Sequence, residues 1–217
     1  DFVTTQFRVG LLEARIKDER IPLSYGMLGQ ETNGAGGMFK ALRTIPIHAG
    51  IIASMRALCP DAWLINFTNP SGMITEAIVR QLGWKRCIGL CNVPVNSVRK
   101  EPALIGKTPE ELEFRFAGLN HFHWHRVFTK DAQDITQDII PHLNDSLETD
   151  PKNIFKADFP LEALQAANLL PCSYHRSYYS AEEMLQHCLE DYEKHATRAE
   201  TVKETETRLF EIYKSQA

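Results

Sequence analysis

The stretch Trp63–Pro94, WLINFTNPSGMITEAIVRQLGWKRCIGLCNVP, limits the possible folds of this chain more than any other. Trp63–Phe67 is a short apolar run, the pattern of a strand buried on both faces. Asn69-Pro70 follows, and it suits a helix start, with Asn as N-cap and Pro at the first helical position. Met73, Ile74, Ala77, Ile78 and Leu82 then recur at helical spacing, and Gly83 is placed to end the helix. Cys87–Leu90 predicts a second buried strand that stops at Cys91-Asn92. Strand, helix and strand in this order make a βαβ unit with parallel strands. Open parallel sheets bind ligands just beyond the carboxyl ends of their strands, which is where Asn66, Asn69, Cys91 and Asn92 fall.

On either side the pattern is α/β as well. Phe2–Phe7 reads as a strand, Leu11–Arg20 as a helix, and Tyr25–Phe39 as a glycine-rich loop holding Glu31. Gly34, Gly36 and Gly37 in that loop would permit close ligand approach, or simple flexibility. Ile47, Ile51, Ile52, Met55 and Leu58 mark an amphipathic helix, and Val95–Lys100 begins another. Glu113–Ala117 and the alternating run from Phe122 read as strands. Asp131–Pro160 reads as loop with a short helix, Leu161–Leu170 as helix, and Pro171–Tyr179 as a polar-aromatic loop. Two charged helices close the chain.

Composition narrows the function. The 217 residues carry a net charge of −4 with no extended basic run, which gives no support to binding of nucleic acid or an anionic membrane. No apolar stretch is long enough to span a bilayer. Cys59, Cys87, Cys91, Cys172 and Cys188 are odd in number and lack paired spacing, which favours a reducing cytoplasm. The chain opens on Asp1 in a strand-like run and ends in or near a helix, so a piece of a longer enzyme is expected.

Cys91 and His121 are the sharpest candidate pair. Each closely follows a predicted strand, and both could lie on one edge of one sheet. A thiolate and an imidazole suit a borderline divalent metal, while buried packing and a plain hydrogen bond are the ordinary alternatives. Asn69 and Asn92 could bond a polyhydroxy ligand or only cap helices. Arg8 and Arg15 could meet a phosphate or form surface ion pairs. Tyr174, with Arg176 two residues on, could be a base acidified by a nearby cation, or could simply pack.

Taken together and in order, the segments from Arg8 to Arg15, GQETNGAGG (29–37), INFTNPSG (65–72), GLCNVP (89–94), GLNH (118–121) and YHRSYY (174–179) resemble glycoside hydrolase family 4, most closely its 6-phospho-β-glucosidase type. The resemblance runs from residue 1 to the end. It implies an α/β fold with a partial Rossmann-type parallel sheet in residues 1–120, followed by part of a mixed α/β catalytic domain in 121–217. It also implies NAD and a divalent metal, most often Mn2+. By resemblance, Cys91 and His121 are the metal ligands and Tyr174 is the catalytic base, with Glu31 as a neighbour that raises its basicity. Arg15, Asn69, Asn92 and Arg8 would bind substrate, and Thr5 and Asn66 would contact the cofactor. Asn92 stands where α-glycoside-cleaving relatives resemble one another in carrying an acid, which favours the β type.

Three positions depart from the family pattern. The usual double glycine is Gly10-Leu11, and the tyrosine loop carries Ser173 and Ser177 where relatives tend to have Pro and Tyr. The family's glycine-rich NAD fingerprint and the second half of its catalytic domain are not in this sequence.

The implied reaction departs from the two-carboxylate route of most glycosidases. NAD takes a hydride from C3 of the sugar, Tyr174 removes the acidified C2 proton, the aglycone leaves, water adds, and the hydride returns. The substrate would be a phosphorylated disaccharide such as cellobiose 6-phosphate or an aryl glucoside, and the full-length enzyme would be a cytoplasmic homo-oligomer. The competing readings are a lactate/malate-type NAD-dependent 2-hydroxyacid dehydrogenase, with His121 as its histidine, and an inactive truncated chain.

Overall fold

The computed structural model describes residues 1–149 and 157–216. They pack as two compact units, one formed by Asp1–Leu90 with Leu185–Ala217 and the other by Cys91–Met184.

The first unit is built on a three-stranded parallel sheet of β1 (Phe2–Thr5), β2 (Trp63–Asn66) and β3 (Cys87–Gly89), in that order. Helix α1 (Leu11–Ser24) packs on α2 (Gly34–Leu58), and α3 (Ser71–Glu76) connects β2 to β3. The parallel βαβ unit of the sequence is therefore present. Its core is Ile52 and Met55 of α2, Ile74 of α3, Ile78, Ala62, Leu64 and Trp84. Two helices at the end of the chain, α8 (Ala181–Glu193) and α9 (Arg198–Ser215), contribute Leu185 onward to this unit.

Several local expectations change. The strands are not buried on both faces: β2 alternates, with Trp63 41% exposed, and Ile88 of β3 is 44% exposed. Val3, Leu64 and Cys87 face the core, so the side chains between them point away from it. The helix after Asn69-Pro70 starts at Ser71, with Pro70 rather than Asn69 in the cap position. It then widens into a π-helical turn over Ala77–Gln81, before Gly83 ends it at φ +69°.

The glycine run is also not a loop. Gly34, Gly36 and Gly37 form the first turn of α2. A Cβ on Gly36 would lie 2.2 Å from the Gln30 carbonyl oxygen and 2.6 Å from that of Asp18. Glycine is needed there for close backbone packing and not for a ligand. Gly36→Ala must displace main chain, and we expect a loss of about 1–3 kcal/mol, measurable as a lower Tm. Leu11 stands at φ +56°, a left-handed geometry that glycine adopts without cost. This explains physically why a second glycine suits that position.

The second unit holds α4 (Asn92–Lys100), continued by a 3-10 turn at Glu101–Ile105, and an antiparallel sheet of β4 (Leu112–Leu119), β5 (Phe122–Thr129) and β6 (Leu170–Pro171). Around the sheet lie α5 (Thr136–Ile139), α6 (Leu161–Ala167) and α7 (Arg176–Tyr179). Its core joins Leu112, Val127, Ile135, Ile139, Ile140, Leu143, Leu164 and Leu170. Part of the predicted 131–160 loop, residues 150–156, lies outside the described residues. The predicted 171–179 loop is instead a pair of short helical turns, largely buried as far as Ser177, with Tyr178 and Tyr179 exposed. Cys172, Tyr174, His175, Arg176 and Ser177 are all buried.

All five cysteines are free thiols. Among the described residues no helix is long and apolar enough to cross a membrane.

Candidate active site

Cys91 and His121 meet within the second unit, although not on one edge of one sheet. Cys91 follows β3 of the parallel sheet and is the N-cap residue of α4, while His121 sits in the hairpin turn between β4 and β5 of the antiparallel sheet. The Sγ of Cys91 lies 3.4 Å from Nε2 of His121. Burial pushes the thiol pKa up, and the backbone N–H groups of Asn92 and Val93 pull against that shift. These are the open donors of a helix start, aimed where a thiolate's charge would sit. The side chain of Asn92 reaches the same sulfur at 4.0 Å.

His121 occupies an unusual backbone position. Leu119 pairs with Phe122, which leaves a two-residue turn of Asn120 and His121, and His121 has φ +60°. Such a position favours glycine, and a residue with a Cβ costs about 1–2 kcal/mol there. A strained histidine at a contact point is an observation that points to use rather than packing. Its ring is 4% exposed as a residue and stacks on the Tyr174 ring, with centroids 3.7 Å apart and planes 8° apart. The structure thus brings together three of the residues picked from the sequence: Cys91, His121 and Tyr174.

The donor set fits a divalent cation. Bonds of about 2.3 Å to sulfur and about 2.1 Å to nitrogen at angles of 90–110° put the two atoms roughly 3.1–3.6 Å apart, which brackets the observed separation. A soft thiolate with an imidazole suits Mn, Fe or Zn more than Ca or Mg. Among the described residues no group of three or more His, Cys, Asp or Glu could hold a metal. The pair therefore leaves positions open to substrate or water, as catalytic sites do.

The first unit holds the second cluster. Glu31 accepts from Arg8 at 3.2 Å, lies 3.3 Å from the Arg15 guanidinium, and pairs with Lys40. Arg15 also donates to Glu19 at 2.9 Å, and Glu19 accepts the Ala199 N–H at 2.7 Å, which ties α9 to α1. Burial alone would raise the pKa of Glu31, but Arg15, Lys40 and Arg8 outweigh it and hold the carboxyl below its ordinary range. Three cations face two carboxylates, so the cluster is positive by one charge and attracts anions. Lys40 is 2% exposed and was not picked out from the sequence. A lone lysine in a helix ordinarily marks a wet face, and only the packing of α2 on α1 turns this one inward.

Thr5 and Asn66 are register partners across β1 and β2. Thr5 donates to the Asn66 Oδ1 at 3.0 Å, and the Thr68 N–H donates to the same oxygen at 3.1 Å. The Asn66 amide donates to the Thr68 carbonyl and the Thr75 hydroxyl. Both side chains are buried and engaged with protein. These bonds shape the sheet's carboxyl edge. Asn69 is half-buried, one residue before the start of the turn that leads into α3.

Comparison with known proteins places this geometry. The profile of "Family 4 glycosyl hydrolase" matches residues 1–102, and that of "Family 4 glycosyl hydrolase C-terminal domain" matches residues 116–217. The chain belongs to family 4 of the glycosyl hydrolases. This family 4 chain is 48% identical to a probable 6-phospho-beta-glucosidase of Bacillus subtilis, over 99% of the chain and 49% of that protein. It is 46% identical to the 6-phospho-beta-glucosidase of Escherichia coli, over 99% of the chain and 48% of that protein. It superposes on the 6-phospho-beta glucosidase of Thermotoga maritima solved with manganese, NAD+ and glucose-6-phosphate, with a TM-score of 0.83 and 36% identity. That match covers 98% of this chain and 49% of the other. The chain spans about half the length of the curated relatives it matches. The α/β fold, with a parallel sheet followed by a mixed α/β portion, is that of these family members.

Proposed function

We propose that this chain carries the metal-holding and proton-abstracting part of an NAD- and Mn2+-dependent hydrolase of 6-phospho-β-glucosides, such as cellobiose 6-phosphate or an aryl glucoside. The observation that carries the reading is the contact chain Cys91–His121–Tyr174. A sulfur and an imidazole lie at the separation one cation would span, and a phenol is stacked on that imidazole. A dehydrogenase of the lactate/malate type needs no thiol at that point and is not favoured.

Bound NAD supplies a reversible hydride acceptor for a sugar carbon, and a bound divalent cation supplies Lewis acidity toward the sugar's oxygens. Cys91, deprotonated, and His121, neutral at Nε2, would hold the cation. Tyr174 would take the C2 proton as phenolate. Its ring lies against the imidazole that would hold the cation, and a divalent cation bound there would favour the charged form of the phenol. Burial of Tyr174 and Cys172 keeps water from competing for that proton. Arg15, Arg8 and Asn69 would bind the sugar phosphate or hydroxyls, supported by the excess positive charge around Glu31. By the family motif, Glu31 would support the basicity of Tyr174. Asn92 would hydrogen-bond substrate but cannot donate a proton as an acid would, which supports the β-type reading. Relatives named 6-phospho-beta-glucosidase share 37–48% identity with the chain, and those named as phospho-alpha-glucosidases share 33–39%.

The functional division is proposed at about residue 120, a few residues inside the C-terminal family match that begins at 116, while the compact units divide at Leu90 and Cys91. A reducing cytoplasm is supported by five free thiols. A homo-oligomer is proposed from the family resemblance.

Turnover of 4-nitrophenyl 6-phospho-β-glucoside by the protein that carries this chain tests the proposal. Activity should vanish on chelation, return with Mn2+, require NAD without consuming it, and exchange the C2 hydrogen with solvent deuterium. Turnover indifferent to chelator, or cleavage with no C2 exchange, would sink it.

A further inference from the structure

We propose that the buried Glu101–His125 bridge is a positioning pair that sets the separation of Cys91 and His121. This inference rests on the metal reading above.

Two rails leave the candidate metal site. One is α4, which starts just after Cys91 and runs without a break into the turn at Glu101. The other is β5, which starts just after His121 and carries His125. Ten residues at a helical rise place Glu101 about 15 Å from Cys91. Four residues at a strand rise place His125 about 13 Å from His121. The two rails therefore have nearly equal reach, and each end is closed by one contact. At the near end Cys91 Sγ meets His121 Nε2 at 3.4 Å. At the far end His125 Nε2 meets Glu101 Oε2 at 2.8 Å, with side chains 0% and 11% exposed.

The far contact is held against slippage. Phe116 lies 5.0 Å from the His125 ring and 5.4 Å from that of His123, and Phe114 stacks over His125 at 6.0 Å. These rings fix the imidazole, so the carboxylate has one place to dock. A buried, hydrogen-bonded pair of this kind holds its geometry tightly because leaving either partner unpaired is costly. Opening the far end frees the rails to splay. The near end, with only two protein ligands and one of them on a strained turn, has little else to hold its spacing.

The test is Mn2+ affinity of this chain by calorimetry, with the Mn2+ electron paramagnetic resonance line shape as a second readout. Glu101→Ala should weaken Mn2+ about tenfold, at the low end of what outer partners of metal ligands contribute, and broaden the line shape. Glu101→Asp, which keeps the charge but shortens the reach, should fall between it and wild type and serves if the alanine variant does not fold. Glu101→Gln, which can still bond His125, should restore the affinity. Leu164→Ala in the same core lowers Tm without touching the bridge and should leave Mn2+ affinity unchanged. Wild-type binding with equal affinity in Glu101→Ala and Glu101→Asp overturns the positioning role alone. A parallel loss in Leu164→Ala also overturns it, by showing that general stability is responsible. A wild-type chain that does not bind Mn2+ overturns the metal reading first.

Discussion

Tyr174→Phe is expected to slow glycoside cleavage by about 10²–10⁴-fold, the usual contribution of a positioned base, while leaving Mn2+ affinity unchanged. The ring remains, so the stack on His121 remains, and only the phenol oxygen is lost. The base acts at C2 before the aglycone leaves, so exchange of that hydrogen with solvent should fall by the same factor as turnover. Hydride transfer to NAD does not depend on the phenol, so a single turnover should still show reduced cofactor. Steady-state turnover and deuterium incorporation, measured on one preparation, check both statements. A variant that exchanges C2 normally while failing to cleave would place the base elsewhere. A variant with lost Mn2+ binding would mean that Tyr174 matters for structure.

His121→Gly should separate function from stability more sharply than any other single change here. Removing the Cβ at φ +60° relieves about 1–2 kcal/mol. Glycine returns about 0.5–1 kcal/mol of that through its freer unfolded state. Loss of the ring stack with Tyr174 costs about 0.5–1.5 kcal/mol more. Lost burial of the ring adds about 1–2 kcal/mol of cost, so Tm should fall by several degrees. Mn2+ affinity should fall by at least about a hundredfold, because even outer partners of metal ligands are worth about 10–100-fold. Thermal melting with and without Mn2+ reads both effects at once: the wild-type chain should gain stability from the ion and the variant should not. A large loss of Tm in the absence of metal would show that the histidine was retained for packing.

Much was legible because it depends on short-range pattern. The apolar runs at Trp63–Phe67 and Cys87–Leu90 and the helical spacing between them are local signals, and a parallel βαβ unit follows from them. The alternation on both sides of Gly118–His121 likewise predicts two strands, and β4 and β5 pair as a hairpin there. The ordered family motifs supplied the roles of Cys91, His121 and Tyr174, which spacing alone left open. Where the local reading failed, a distant surface had overruled it. Gly34–Gly37 look like a flexible loop until the backbones of Asp18 and Gln30 close on them and a helix becomes the way to pack. The 171–179 segment is polar in sequence, yet its His175 is buried among aromatic rings.

The sequence by itself determined the α/β class, the family, and which thiol, imidazole and phenol to consider, because residue identity and near-neighbour periodicity are enough for those. Only the tertiary structure decided that Cys91 and His121 come from different sheets yet lie 3.4 Å apart, that Tyr174 stacks on the imidazole, and that Lys40 and the Glu101–His125 pair are buried. The reason is physical. Contact between residues 30 or more apart in the chain depends on how whole elements pack, and a charged side chain reveals its burial only when its partner is in place.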